Sequence, residues 1–320
     1  MASALAVVTA RPSLWLLGAL AFALRGGLLL LLVSILVLPT PIELRMLLGS
    51  NLGSAGFTPA FVGLLTFALL LIGLLVLAAL SLIAYAETAA FERLLNDPET
   101  AEQLDGRAAR QLSGAERRSL VAGLFTIQLL ALAALTLAAL PLLTGAVALA
   151  YEEIVRPSLG GTIYVRVLNG LREPFFLLLA GLVLVELVSS VASRRLLLRS
   201  FGLSGTPLPA GMLGGVRSVP AAVVHGILRP LARPLTTLST LLLAWAVSLA
   251  VLAPLTFGLG AAWNAVRAAY LSPGAASDGQ ALVGLALVTF ALAAIWTGAV
   301  LLGGFASALR AALWSLDGLR

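Results

Sequence analysis

The chain has 320 residues, 60% of them hydrophobic and 11% charged, with a mean hydropathy of +1.06 and a formal net charge of +6. A soluble domain carries roughly 25% charged and 45–50% apolar residues, so this composition excludes an ordinary soluble fold and predicts a polytopic membrane protein. The absence of cysteine excludes disulfides, thiolate metal sites and a catalytic thiol, and the single histidine leaves no histidine cluster for a metal. All 20 basic residues are arginine, as a GC-rich coding sequence would produce, and a basic balance on so apolar a chain points to anionic lipid headgroups rather than nucleic acid.

Taken in order, the chain predicts six helical spans. The first, about 13–38, follows Arg11-Pro12, because proline at a first helical turn loses no hydrogen bond. Its 26-residue apolar run exceeds the 7–15 of a signal-peptide core, which predicts a retained span. A Gly/Ser/Pro-rich connector (39–59) leads to the second span, about 60–86. The hydrophilic stretch 91–118 contains Asn96-Asp97-Pro98-Glu99, a helix-start pattern, and Ser113-Gly-Ala-Glu116, a capping box opening the third span at about 119–149. At 31 residues this span should tilt, kink at Pro141 or protrude. The polar segment 150–173 is expected outside the membrane, before a fourth span at about 174–192. A long connector, 193–234, precedes the fifth span (about 235–257, with Pro254) and the sixth (about 281–305, opened by a second capping-box pattern at Ser277). The tail ALRAALWSLDGLR reads as a short amphipathic helix with Trp314 at the interface. The fold class is therefore all-α, a transmembrane bundle of three helical hairpins forming a single membrane domain over 1–320.

Arginine counts orient it. With the N-terminus cytoplasmic, fourteen arginines fall on that side and five on the other, with Arg25 left within the membrane. The positive-inside bias places both termini in the cytoplasm of a bacterial cell membrane. The hairpins also share a spacing: Pro39 to Arg93 and Pro141 to Arg195 are 54 residues apart, and Pro254 to Arg310 is 56. A triplicated hairpin would explain this, and so would composition, since Leu/Ala-rich helices align with one another and prolines and inner arginines are common topology markers.

With its Arg-Pro openings (Arg11-Pro12, Arg233-Pro234), six Leu/Ala-rich spans and a basic amphipathic approach to a span, the chain resembles the membrane domain attached to some glycerophosphodiester phosphodiesterases. In that family the hydrolase activity resides in a separate soluble domain with acidic metal ligands. No such segment lies in this sequence, so the resemblance implies no catalytic residue.

Two groups of residues stand out. Arg25 sits mid-span, followed by Gly26-Gly27, at a cost of about 2.5–3.5 kcal/mol on insertion scales, so it should face protein or water. It reads as a packed, paired charge, as a substrate or ion pathway, or as a headgroup contact. Glu186, inside the fourth span, is its expected ion-pair partner, whereas Glu87 reads as a boundary residue. In the second group, Arg217, His225, Arg229 and Arg233 span roughly 160° of one helix, predicting a basic interfacial helix that contacts anionic lipid, limited by Pro220 and Pro230. No serine–histidine–acid set, HExxH, phosphate-binding loop or ligand cluster is visible, and Glu152-Glu153 do not share a helix face. The sequence thus predicts no enzyme, no cofactor and no metal. Two functions remain. One is a non-catalytic scaffold or assembly subunit, with a protein partner or a second copy, in which Arg25 and Glu186 account for one another. The alternative is a transporter or permease subunit that uses those charges.

Overall fold

The computed structural model describes residues 2–33, 35, 46, 52–53, 56–95, 111–155, 163–203, 216–271 and 279–319. The helix-start pattern at 96–99 and the capping box at Ser277 lie outside these residues. The chain forms α1 (Ala2–Ala10), α2 (Pro12–Phe22), a π-helical turn (Ala23–Gly27), α3 (Leu28–Val33), α4 (Pro59–Leu95), α5 (Gly114–Val155), α6 (Ile163–Ser200), a 3₁₀ turn (Val216–Ser218), α7 (Val219–Ala232), α8 (Pro234–Leu271) and α9 (Gly279–Leu319). Within the connector before α4, β1 (Leu52–Gly53) and β2 (Gly56–Phe57) make a minimal antiparallel ladder.

Six of these segments are long and apolar enough to cross a membrane, and the protein is a multi-pass helical membrane protein. Chain neighbours pack as hairpins: α2 with α4, α5 with α6, and α8 with α9. Because α2 also packs against α9, and α9 against α6, the helices α2, α4, α5, α6 and α9 close a ring, with α8 outside it.

The helices outrun the spans expected from hydropathy. α4, with 37 residues, is about 55 Å long, whereas a hydrocarbon core is about 30 Å thick. The segment 150–173, expected outside the membrane, is helical over most of its length: α5 continues to Val155, and α6 begins at Ile163 and runs through Pro174. Helices also continue through Pro141, Pro230 and Pro254. Proline removes one backbone hydrogen bond and need not end a helix whose flanks are held by neighbours.

Packing differs between the two ends of the bundle. The first half of α4 is exposed on nearly every side (Leu64 66%, Leu70 69%, Leu74 65%), as a lipid-facing helix should be. Its second half is buried, and there Phe91, Leu94 and Leu95 join Leu120, Leu124, Leu196, Leu197 and Leu309 in one apolar core. This is the end that carries the chain termini. The segment before Pro12 is a helix there, α1, which packs against α9 through buried Ala4, Val7 and Val8. The capping box forms as expected: Ser113 N–H donates to Glu116 Oε2 (2.9 Å), and Glu116 N–H donates to Ser113 Oγ (3.3 Å). The tail is the last turns of α9 rather than a separate helix. Trp314, expected at the interface, is 2% exposed, because the ring of helices converges on it.

Candidate functional site

Where the lipid-facing half of the ring gives way to the packed half, the helices line a half-open cavity of about 410 Å³. Each helix contributes the residues of one face. From α6 come Glu186, Ser189, Ser190, Ser193 and Arg194, a polar stripe at offsets of 3, 4, 7 and 8 that repeats the helical period. α4 supplies Leu80, Ile83 and Glu87, α5 supplies Gln128 and Leu132, and α9 supplies Arg310 and Trp314.

Arg25 reaches the cavity from the π-helical turn. Gly26 there has φ +92°, a left-handed conformation that L-residues with a side chain rarely adopt. The additional residue in the turn rotates everything beyond it, so a π-turn re-aims side chains in a way that regular helix does not.

The charges pair differently from the sequence-based expectation. Arg25 donates to Glu87 Oε1, not to Glu186. Glu186 Oε1 instead accepts from Arg310, and also from Ser190 Oγ at 3.1 Å. Glu87, expected at the boundary, is 7% exposed, and Arg310, counted as a tail arginine, enters the cavity. The correction has a geometric cause. α4 packs directly on α2 and the π-turn, and α9 packs on α6, so each cation meets the carboxylate of its own neighbour.

Among the described residues Arg194 has no carboxylate to itself. It is 7% exposed, and its Nη2 lies 4.0 Å from Glu87 Oε1, beyond hydrogen-bond distance. The cavity lining thus holds three guanidinium groups and two carboxylates. Arg194 Nε, both amide atoms of Gln128, Trp314 Nε1 and Glu87 Oε2 are buried with no hydrogen-bond partner among the described residues. Such atoms carry a desolvation penalty of about 1–3 kcal/mol each, so a cluster of them on residues lining one cavity is the chemistry of a binding site. Among the described residues no group of three or more acidic or histidine side chains is placed to hold a metal.

The basic helix expected at 217–233 forms as α7, but its polar residues are divided. Arg217 and Arg233 are exposed. Arg229 is turned inward, donating to the Asp317 carbonyl oxygen (2.7 Å) and to Asp317 Oδ2 (3.0 Å). His225 is half-buried, and partial desolvation, reinforced by Arg195 and Arg229, lowers its pKa from the ordinary 6.5. It is therefore neutral at pH 7 and brings no charge to a lipid surface. The outward face is apolar, with Val224, Ile227, Leu228 and Leu231 exposed, while Val219, Ala222 and Gly226 pack inward.

The three returning-helix arginines aligned by the 54–56-residue spacing occupy unlike environments. Arg93 is exposed and donates to the Ser13 carbonyl, Arg195 is half-buried, and Arg310 is in the cavity. The sequence reading counted only charges, and so missed Gln128 and the serines beside Glu186. The 3–4 spacing of polar residues in α6 is the signal that marks them. The fold and this cavity define a multi-pass helical membrane protein with a charged interior site. The chain matches no family model, no curated protein and no solved structure.

Proposed function

We propose that the protein is a membrane transport component whose charged cavity takes up a solute between the helices. The observation that carries this reading is the cavity itself, about 410 Å³ with an odd guanidinium and uncommitted polar atoms on its walls. Small-molecule pockets span roughly 300–1,000 Å³ and combine apolar walls with a few convergent polar groups. Buried ion pairs that serve packing alone gain most when they are closed tightly by neighbours. The scaffold reading rested on Arg25 and Glu186 accounting for one another, and each has a different partner. No nucleotide-binding motif accompanies the spans, so the component is a secondary carrier or works with an energising partner.

The test is flux in proteoliposomes, using radiolabelled inorganic phosphate, radiolabelled choline and the transbilayer movement of a fluorescent phosphatidylglycerol. The expected result is movement of at least one probe above empty vesicles, reduced in Glu186→Gln. Wild-type protein that moves none of the three would return the scaffold reading to first place.

The positive-inside argument supports a cell-membrane orientation with both termini cytoplasmic. Exposed Arg217 and Arg233 then lie at the inner surface beside the apolar face of α7, where each contributes about 1 kcal/mol of attraction to anionic lipid. Reporter fusions after Asn96, Ser204 and Arg320 are expected to give cytoplasmic signal, and fusions after Leu48, Asn169 and Ser272 the opposite. A reversed pattern at any of the last three would break this topology.

A further inference from the structure

We infer that the cavity binds a phosphate-class oxyanion, in the form of the headgroup of an anionic membrane amphiphile, with Arg194 as its central counter-charge. The inference names the substrate class for the transport site proposed above and rests on that reading for its role, though not for its chemistry.

Charge comes first. Among the described residues the lining holds Arg25, Arg194 and Arg310 against Glu87 and Glu186, and the two ion pairs leave one positive charge in excess. Arginine stays protonated in proteins, so this excess is not removed by loss of a proton. A buried unmatched cation in a low-dielectric site is costly alone and is offset by a bound anion.

Donor geometry comes second. Arg194 Nε, Gln128 Nε2 and Trp314 Nε1 are uncommitted donors on three different helices, α6, α5 and α9. An indole N–H can only donate, and Trp314, which lines the cavity, is 2% exposed, so only an acceptor within the protein interior can satisfy it. Donors carried by three separate helices around one cavity suit the spread oxygens of a phosphate better than the two in-plane oxygens of a carboxylate. Gln128 Oε1 and Glu87 Oε2 remain as acceptors for hydroxyl groups carried by the same ligand.

The apolar side of the cavity indicates an amphiphile. Leu80, Leu132, Leu135 and Leu182 line it one or two turns along the same helices from Glu87, Gln128 and Glu186, and Leu132 and Leu182 are 37% and 38% exposed. The first half of α4 leads away from the cavity with an open surface, a Cβ at Gly63 or Gly73 having nothing among the described residues within 4 Å. The charges also sit toward one end of the bundle, on the side away from the exposed half of α4. Glu87 is 8 residues, or about 12 Å, from the end of α4, just past the run of exposed leucines. An acyl chain can therefore lie along the leucines while its headgroup meets the arginines.

The full-length protein in phosphatidylcholine nanodiscs is titrated with decyl phosphate, inorganic phosphate and decyltrimethylammonium, following tryptophan emission, with Trp245→Phe separating the Trp314 signal from that of the second tryptophan lining the cavity. Decyl phosphate is expected to saturate. Arg194→Gln should weaken its binding about tenfold or more, and Gln128→Leu about fivefold, the weights of a charged and a neutral hydrogen bond. Gln128→Leu removes no charge, so it remains informative if Arg194→Gln does not fold. Decyl phosphate binding more tightly than inorganic phosphate supports the lipid headgroup, and equal binding supports a soluble oxyanion at the same site. Decyltrimethylammonium binding as well as decyl phosphate, or decyl phosphate indifferent to both substitutions, overturns the inference. Binding without flux would sink the transport reading and leave this site standing, whereas choline flux without phosphate binding would do the reverse.

Discussion

Glu87→Leu is expected to be the most damaging single substitution in the ring of helices. It removes the carboxylate that accepts from Arg25 and is also the nearest one to Arg194; Glu87 and Arg194 are each only 7% exposed, while the Arg25 side chain is 35% exposed. Breaking a buried pair from one side typically costs 3–5 kcal/mol, because the surviving charge stays desolvated. Glu87→Gln should be milder, since the amide oxygen still accepts a hydrogen bond. Arg25→Leu combined with Glu87→Leu should recover part of the loss, and Arg25→Leu with Glu186→Leu should recover less, because those residues share a cavity but no bond. Thermal unfolding of the purified variants in detergent provides the measurement. Stronger coupling of Arg25 to Glu186 than to Glu87 would reject the pairing described here.

Gly18→Val should be nearly as severe, and for a purely steric reason. A Cβ at Gly18 would lie 2.1 Å from the Gly304 carbonyl oxygen, and one at Gly304 would lie 2.6 Å from Ala19 N and the Trp15 carbonyl oxygen. These are backbone atoms, so α2 and α9 would have to separate. Close backbone approach through small residues is how membrane helices gain packing when lipid offers no hydrophobic driving force. Overpacking costs about 1–3 kcal/mol for an added methyl or two, and Gly18→Ala should already show it. Gly73→Ala is the control, since nothing lies within 4 Å of its Cβ and alanine is the better helix former. Equal melting temperatures for Gly18→Ala and Gly73→Ala would mean that the two helices do not cross this closely. Because this crossing joins the helix leading to Arg25 with the helix of Arg310, Gly18→Val is also expected to weaken the cavity's binding of decyl phosphate.

Local features were legible in the residues because their causes are local. Runs such as FVGLLTFALLLIGLLVLAAL force a buried or lipid-facing helix whatever surrounds them, since the backbone must satisfy its own hydrogen bonds away from water. Ser113 and Glu116 cap their helix through neighbours three residues away. Arg25 and Glu186 were recognisable as expensive charges from their positions alone. Helix lengths were less legible, because the polar flanks at 150–155 and 163–173 are compatible with helix once neighbouring helices hold them. The partner of each charge was decided only by tertiary structure. Depth along a span says how far a charge lies from the surface, but not which helix stands beside it. The ring that seats α4 against the π-turn and α9 against α6 assigned Glu87 to Arg25 and Glu186 to Arg310, and left Arg194 over. The same convergence buried Trp314 and turned Arg229 inward to Asp317. A one-dimensional hydropathy pattern carries the cost of each buried group, and only the arrangement of helices in three dimensions determines what offsets it.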